Sequence, residues 1–206
     1  FDVTVTDTEA PVIAGCPTNI TINAAAGTCA ATATWTEPTA SDNCAGVTLT
    51  ASHASGASFN VGTTTVTYTA TDAGGLSAAC VFDVTVTDTE VPVISDCPTN
   101  LTINATAGTC AATATWTEPT ATDNCAGVTL TASHANGASF NVGTTTVTYT
   151  ATDAGGLTAT CVFDVTVTDT EAPAITGCPT NITINATAGT CAATATWIEP
   201  TATDNC

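Results

Sequence analysis

The sequence is periodic, and the period limits what the chain can fold into. The stretch Phe82-Asp83-Val84-Thr85-Val86-Thr87-Asp88-Thr89-Glu90-Val91-Pro92 recurs nearly unchanged at residues 1–11 and 163–173, a spacing of 81 each time (82 − 1 and 163 − 82). Repetition on that scale describes a tandem array of one small domain. The reading is the last strand of a preceding repeat at 1–7, complete repeats at 8–88 and 89–169, and the N-terminal part of a third repeat at 170–206. Alternating Val and Thr marks a half-buried strand, and Pro ends its pairing. The recurring Asp and Glu therefore sit where one repeat runs into the next.

A repeat of this size buries only about 60% of its unfolded surface and needs staples. The 11 cysteines supply them, at four registers per repeat: Cys16, Cys29, Cys44 and Cys80, then Cys97, Cys110, Cys125 and Cys161, then Cys178, Cys191 and Cys206. With no Cys-x-x-Cys pair, they read as two disulfides per repeat in an oxidising compartment rather than as zinc ligands.

Charge narrows the partners. The chain has no Lys or Arg and 18 Asp plus Glu, a formal net charge of −18. Binding nucleic acid requires cationic side chains to displace counterions, so nucleic acid and anionic membrane surfaces are excluded as partners. No hydrophobic span for membrane insertion is present in this stretch. The balance suits divalent cations or mutual repulsion. With its first residue Phe1 and its partial third repeat, the chain reads as a section of a longer secreted protein. Donation of strand 1–6 to the incomplete repeat of another copy would leave much of the missing part unfilled.

Within residues 8–88 the pattern predicts short strands only. Strand A runs over 11–22 with a kink at Gly15-Cys16-Pro17, strand B over 29–35, and a loop follows at 39–46. Further strands are expected at 47–52, 58–61 and 63–71, and the last at 76–87. Asp72-Ala73-Gly74-Gly75 makes a turn, and no helical period appears. The fold class is all-β: tandem immunoglobulin-like β-sandwich domains with two disulfides per repeat.

These residues resemble a known family. Asp7-Thr-Glu-Ala-Pro-Val-Ile, Cys16-Pro17, Thr34-Trp35-Thr-Glu-Pro38, Asp42-Asn43, Phe59-Asn-Val-Gly62, Tyr68-Thr-Ala-Thr-Asp72 and Cys80-Val-Phe82 are similar to the HYR, or hyalin repeat, domain, through both full repeats and the available third. The resemblance implies immunoglobulin-like extracellular modules of adhesive, matrix and bacterial surface proteins, with no catalytic residues to transfer. Four cysteines allow three connectivities. The expected one is Cys16–Cys80 with Cys29–Cys44, hence also Cys97–Cys161, Cys110–Cys125 and Cys191–Cys206. The alternative is Cys29–Cys80 with Cys16–Cys44.

In such a sandwich the entering linker, the B–C loop and the F–G loop share one end, and the acids concentrate there. Asp88, Glu90, Asp123, Asn124 and Asp153 form a candidate Ca²⁺ set, with Asp7, Glu9, Asp42, Asn43 and Asp72 as its equivalent. A hard cation takes six to eight oxygens. The bland alternative is a set of solvated turn residues. Sequons at Asn19, Asn100, Asn104, Asn181 and Asn185 permit N-glycans.

His53 and His134 fall at turns, and Trp35, Trp116 and Trp197 at strand ends, where packing explains them. No nucleophile elbow, zinc-protease helix or phosphate loop is present. The expectation is thus a non-enzymatic structural section of an extracellular fibre or adhesin stalk, self-associating or meeting other cell-surface proteins and glycans. The competing readings are a glycan- or ice-binding array, on exposed Trp or a Thr face, and an accessory region of a secreted hydrolase.

Overall fold

The computed structural model describes residues 1–206 as eighteen β-strands without a helix. The first repeat contains β1 (Val12–Ala14), β2 (Ile20–Asn23), β3 (Ala30–Thr32), β4 (Thr39–Ser41), β5 (Thr48–Ala51), β6 (Ser58–Asn60), β7 (Gly62–Thr71) and β8 (Ser77–Thr87). The second repeats them as β9 (Val93–Ser95), β10 (Leu101–Asn104), β11 (Ala111–Thr113), β12 (Thr120–Thr122), β13 (Thr129–Ala132), β14 (Ser139–Asn141), β15 (Gly143–Thr152) and β16 (Thr158–Thr168). The partial third holds β17 (Ala174–Thr176) and β18 (Thr201–Thr203).

In each full repeat a four-stranded sheet, ordered β2-β8-β7-β5 and β10-β16-β15-β13, faces short two-stranded ribbons such as β3-β6 and β11-β14. The long antiparallel pair β7–β8 dominates, from Gly62↔Val86 to Thr71↔Ser77. Strand β2 lies on its other side in parallel, Ile20↔Val84 to Asn23↔Thr87. Residues 1–11, expected to begin as a strand, join no ladder. Strand β4 falls in a stretch expected to be loop. Its partner creates it, because β1 pairs Val12↔Ser41 and Ala14↔Thr39.

The alternation of β7 and β8 explains the core. Val66, Tyr68, Cys80, Phe82, Val84 and Val86 point inward and pack with Ala31, Ala33 and Phe59, while the intervening Thr residues face outward. Val66 and Val84 are fully buried. Trp35 caps the cluster, its ring edge-on to Phe82 at 5.2 Å and its Nε1–H donating to the Tyr68 hydroxyl at 2.8 Å. The second repeat reproduces this with Trp116, Phe163 and Tyr149.

The compact units are out of step with the repeats. One comprises Phe1–Ile94 with Ala121–Leu130 and Thr150–Ala159; the other comprises Ser95–Thr120, Thr131–Tyr149 and Thr160–Cys206. The first unit thus owns the whole first repeat and two loops of the second. Those loops carry Asp123, Asn124, Cys125 and Asp153.

Candidate functional site

Where β8 stops, Asp88 turns the chain: its Oδ1 accepts the Glu90 N–H at 3.1 Å, as Asp7 does for Glu9 and Asp169 for Glu171. Pro92 follows, fully buried and unable to donate to a ladder. Asp123 holds its loop the same way, Oδ2 accepting the Cys125 N–H at 3.1 Å. Asp153, only 6% exposed, closes the turn before β16 by accepting the Leu157 N–H at 2.8 Å. Asn124 Nδ2 donates to the Thr28 carbonyl at 2.8 Å and to Asp88 Oδ1 at 3.2 Å.

Each loop aspartate therefore spends one oxygen on a turn. The others are left over. Asp123 Oδ1, Asn124 Oδ1 and Asp153 Oδ2 are shielded from water with no hydrogen-bond partner, as are Asp7 Oδ2 and Asp72 Oδ2 in the first repeat. Ligand atoms of Asp88 and Asp123 lie within 4.8 Å of one another and of Cys125 Sγ; Asp7, Asp42 and Cys44 form the same cluster. A buried acceptor without a donor costs about 1–3 kcal/mol, more when charged. In a chain without Lys or Arg, no side-chain cation can relieve it.

The first cluster shows the field directly. The Asp7 carboxyl is held below its ordinary value by the Glu9 N–H, then by the Cys44 thiol, against partial burial, and by Asn43. The Cys44 thiol is pushed up chiefly by the Asp7 carboxylate beside it, and further by the charges of Asp42 and Asp72. The structure thus gathers Asp7, Asp42, Asn43 and Asp72 around one thiol. The glutamates of the expected sets lie elsewhere: both Glu90 carboxylate oxygens accept the Gly27 N–H at 3.1 Å, and Glu9 is exposed.

The disulfides depart from the expected pairing at two of their positions. Cys16 is bonded to Cys80 and Cys97 to Cys161, with Cα–Cα distances of 5.8 Å. Cys29, however, is bonded to Cys125 rather than Cys44, and Cys110 to Cys206 rather than Cys125, each across a separation of 96 residues. Cys191 is not bonded to Cys206; Cys44, Cys178 and Cys191 are free and exposed. The reason is extension. Cys29 lies near the end of β8, where Ala24 N–H donates to the Thr87 carbonyl, whereas Cys44 lies beside Asp7 and Asp72. The chain between them is mostly extended, and about 3.3 Å per residue carries the sulfurs to opposite ends of the repeat. The overlooked signal is arithmetic: 96 is the 81-residue period plus the 15 residues from Cys29 to Cys44.

The other candidates resolve simply. Asn19 and Asn100 dock their Oδ1 on the Asp83 and Asp164 N–H groups at 2.9 and 3.0 Å, and Asn104, Asn181 and Asn185 are exposed. His53 bonds Ser52 and lies tilted against Phe59 at 5.3 Å. Outward threonines pair with neighbours, Thr63 with Thr85 at 3.1 Å and Thr65 with Asp83 at 2.8 Å.

A disulfide-braced, immunoglobulin-like repeat whose ends carry acids and cysteines in fixed register defines a class of extracellular structural module. The HYR domain pattern matches residues 6–86 and 87–167, and the chain belongs to the HYR domain family. Hyalin of Strongylocentrotus purpuratus is 37% identical over 209 residues, covering 98% of this chain and 17% of that protein. Hyalin of Lytechinus variegatus is 42% identical over 189 residues, covering 89% and 36%. The sushi, von Willebrand factor type A, EGF and pentraxin domain-containing protein 1 of Rattus norvegicus is 36% identical over 165 residues, covering 78% and 4%. The chain thus spans well under half the length of these relatives. Among solved structures, protocadherin gammaB7 EC3-6 matches at 17% identity and a TM-score of 0.38, covering 83% of this chain and 54% of that one. Drosophila N-cadherin EC1-4 matches at 15% and 0.33, covering 77% and 49%.

Proposed function

We propose that the chain is a load-bearing section of an extracellular fibre or adhesin stalk, built of modules 8–88 and 89–169, in which calcium stiffens the end of each module. The observation that carries this reading is the set of orphaned oxygens. Asp123 Oδ1, Asn124 Oδ1 and Asp153 Oδ2 are buried, unpaired and accompanied by Asp88, in a chain that has no side-chain cation to neutralise them. In this cluster the donor set is all oxygen, since the sulfur of Cys125 is engaged in a disulfide, which suits a hard divalent ion and not zinc or copper. Asp88, Asp123, Asn124 and Asp153 would hold one ion, and Asp7, Asp42, Asn43 and Asp72 a second. The ion would neutralise the unpaired carboxylates and tie the entering segment to the two loops.

Titration calorimetry with calcium chloride tests this. Two ions per chain are expected, with a rise in Tm reversed by EGTA. Calcium at one hundred times its Kd would stabilise the chain by about 2.7 kcal/mol per site. No heat and no change in Tm at millimolar calcium would sink the site. The stalk reading stands or falls separately, on whether small-angle scattering finds the chain elongated.

A further inference from the structure

Directly after β9 the chain has Asp96, where the equivalent positions of the other repeats hold Gly15 and Gly177. Asp96 has φ 59° and is the one non-glycine residue with a positive φ, a conformation strained for any residue that carries a Cβ. Local bonding does not offset the strain. Unlike Asp88, Asp123 and Asp153, Asp96 accepts no turn hydrogen bond, and its carboxylate is exposed. Strain retained at one turn, while the aligned turns relieve it with glycine, points to a use for the side chain.

Asp96 lines a cleft of about 290 Å³ together with Asn100, Leu101 and Trp116, all within one compact unit. Trp116 is half-buried and held in place: its Nε1–H donates to the Tyr149 hydroxyl at 2.8 Å, and its ring meets Phe163 and Phe140 edge-on at 5.2 and 6.2 Å. Asn100 is fixed through Oδ1, which accepts the Asp164 N–H at 3.0 Å, and this leaves its Nδ2 hydrogens without an acceptor in the chain. The cleft therefore offers a carboxylate acceptor, an amide donor, and fixed aromatic and aliphatic surface. Of the eight residues that line it the first repeat keeps six, with Gly15 and Ile20 standing in place of Asp96 and Leu101.

We propose that this cleft binds a neutral sugar ring of a glycan carried by another molecule. A pyranose has adjacent hydroxyls, which donate to the Asp96 carboxylate and accept from Asn100 Nδ2, and a face of C–H groups that packs on Trp116 and Leu101. A basic side chain would satisfy Asp96 alone, having no acceptor to offer the Asn100 amide. An acidic sugar would meet Asp96 and the chain's net charge of −18. The volume lies at the low end for small-molecule sites, room for one ring rather than for an extended chain. The inference goes beyond the stalk reading and needs neither calcium site.

The test uses the full chain made in a bacterial periplasm, where disulfides form and Asn100, itself a sequon residue, carries no N-glycan. Proton–nitrogen correlation spectra in EGTA follow the tryptophan indole N–H signals as methyl galactoside, methyl mannoside or N-acetylglucosamine is added. At least one sugar should move the Trp116 signal, half-saturating between about 1 and 10 mM, and leave those of Trp35 and Trp197, whose repeats carry Gly15 and Gly177. Asp96→Gly relieves the strain and should keep Tm at least as high while weakening binding about tenfold or more. Asn100→Asp keeps an acceptor for the Asp164 N–H, loses the Nδ2 donor, and should weaken binding about tenfold. Gly15→Asp, whose added Cβ meets nothing within 4 Å, should make the Trp35 signal respond as well. The proposal is overturned by no shift at Trp116 with any of the sugars, by equal shifts at all the tryptophans, or by unchanged affinity in Asp96→Gly. Silence at Trp35 in Gly15→Asp, or a response to acetyl-lysinamide in place of the sugars, overturns it equally.

Discussion

Replacing Cys125 with serine separates the observed cross-link from the one suggested by spacing alone. Cys29–Cys125 spans 96 residues. Closing a loop of that length removes about 4.7 kcal/mol of unfolded-state entropy in the chain model. The Cys16–Cys80 bond offers a shorter path between the same two sulfurs, about 58 residues, which lowers the figure to about 4 kcal/mol. Cys44→Ser should cost almost nothing in the monomeric, thiol-capped chain, because Cys44 is free. Had Cys29 been bonded to Cys44, the same substitution would open a loop of about 15 residues and cost about 3 kcal/mol. Urea denaturation read by tryptophan fluorescence distinguishes the two, since Trp35 reports on its contact with Phe82. With a slope of about 2 kcal/mol/M, Cys125→Ser should lower the midpoint by about 2 M while Cys44→Ser leaves it in place. A comparable fall for Cys44→Ser refutes the repeat-to-repeat pairing.

Asp153→Asn should leave the calcium-free chain as stable or slightly stabilise it, because a buried unpaired carboxylate oxygen is lost while the Leu157 N–H keeps its acceptor; calorimetry should show one ion fewer. Trp35→Phe strands the hydroxyl of Tyr68, itself 3% exposed, and should cost about 2 kcal/mol; combining it with Tyr68→Phe should cost less than the sum, as a double-mutant cycle would record. Asp96 has φ 59° where the equivalent Gly15 and Gly177 have 75° and 73°, so Asp96→Gly should raise the thermal stability of the second unit by up to about 1 kcal/mol. Because neighbouring carboxylates push its thiol up, Cys44 should alkylate more slowly than an unfolded-peptide cysteine near pH 8, the gap closing as pH rises through the raised value; Asp7→Asn should speed the reaction.

The repeat and its strands were legible because period-two alternation states which side of a strand is wet. Along β7 and β8 that alternation carries Val66, Tyr68, Phe82, Val84 and Val86 into the core. Strand β4 was not legible, since its existence depends on β1, a partner some 27 residues away. The cysteines show the sharper limit. Sequence alone counts residues between sulfurs, but what decides a pairing is whether the chain between them turns back or runs on. From Cys29 to Cys44 it runs on. The acids were legible as a group because they recur with the joint. Which of their oxygens face inward was not, since that follows from the turn bonds to Glu90, Cys125 and Leu157. Glu90 looked like one more member, and the Gly27 amide claims it.

The placement of Cys16–Cys80 determines how a repeat answers tension. Strand β2, which runs parallel to the end of β8, lies inside the loop that this bond closes. Tension between the two ends passes from Cys16 straight to Cys80, and the 64-residue loop between them stays slack. Of the 81 residues in each period only about 17 can be drawn out, roughly 60 Å at full extension. A strand of such repeats would stretch briefly and then behave as a tether of nearly constant length.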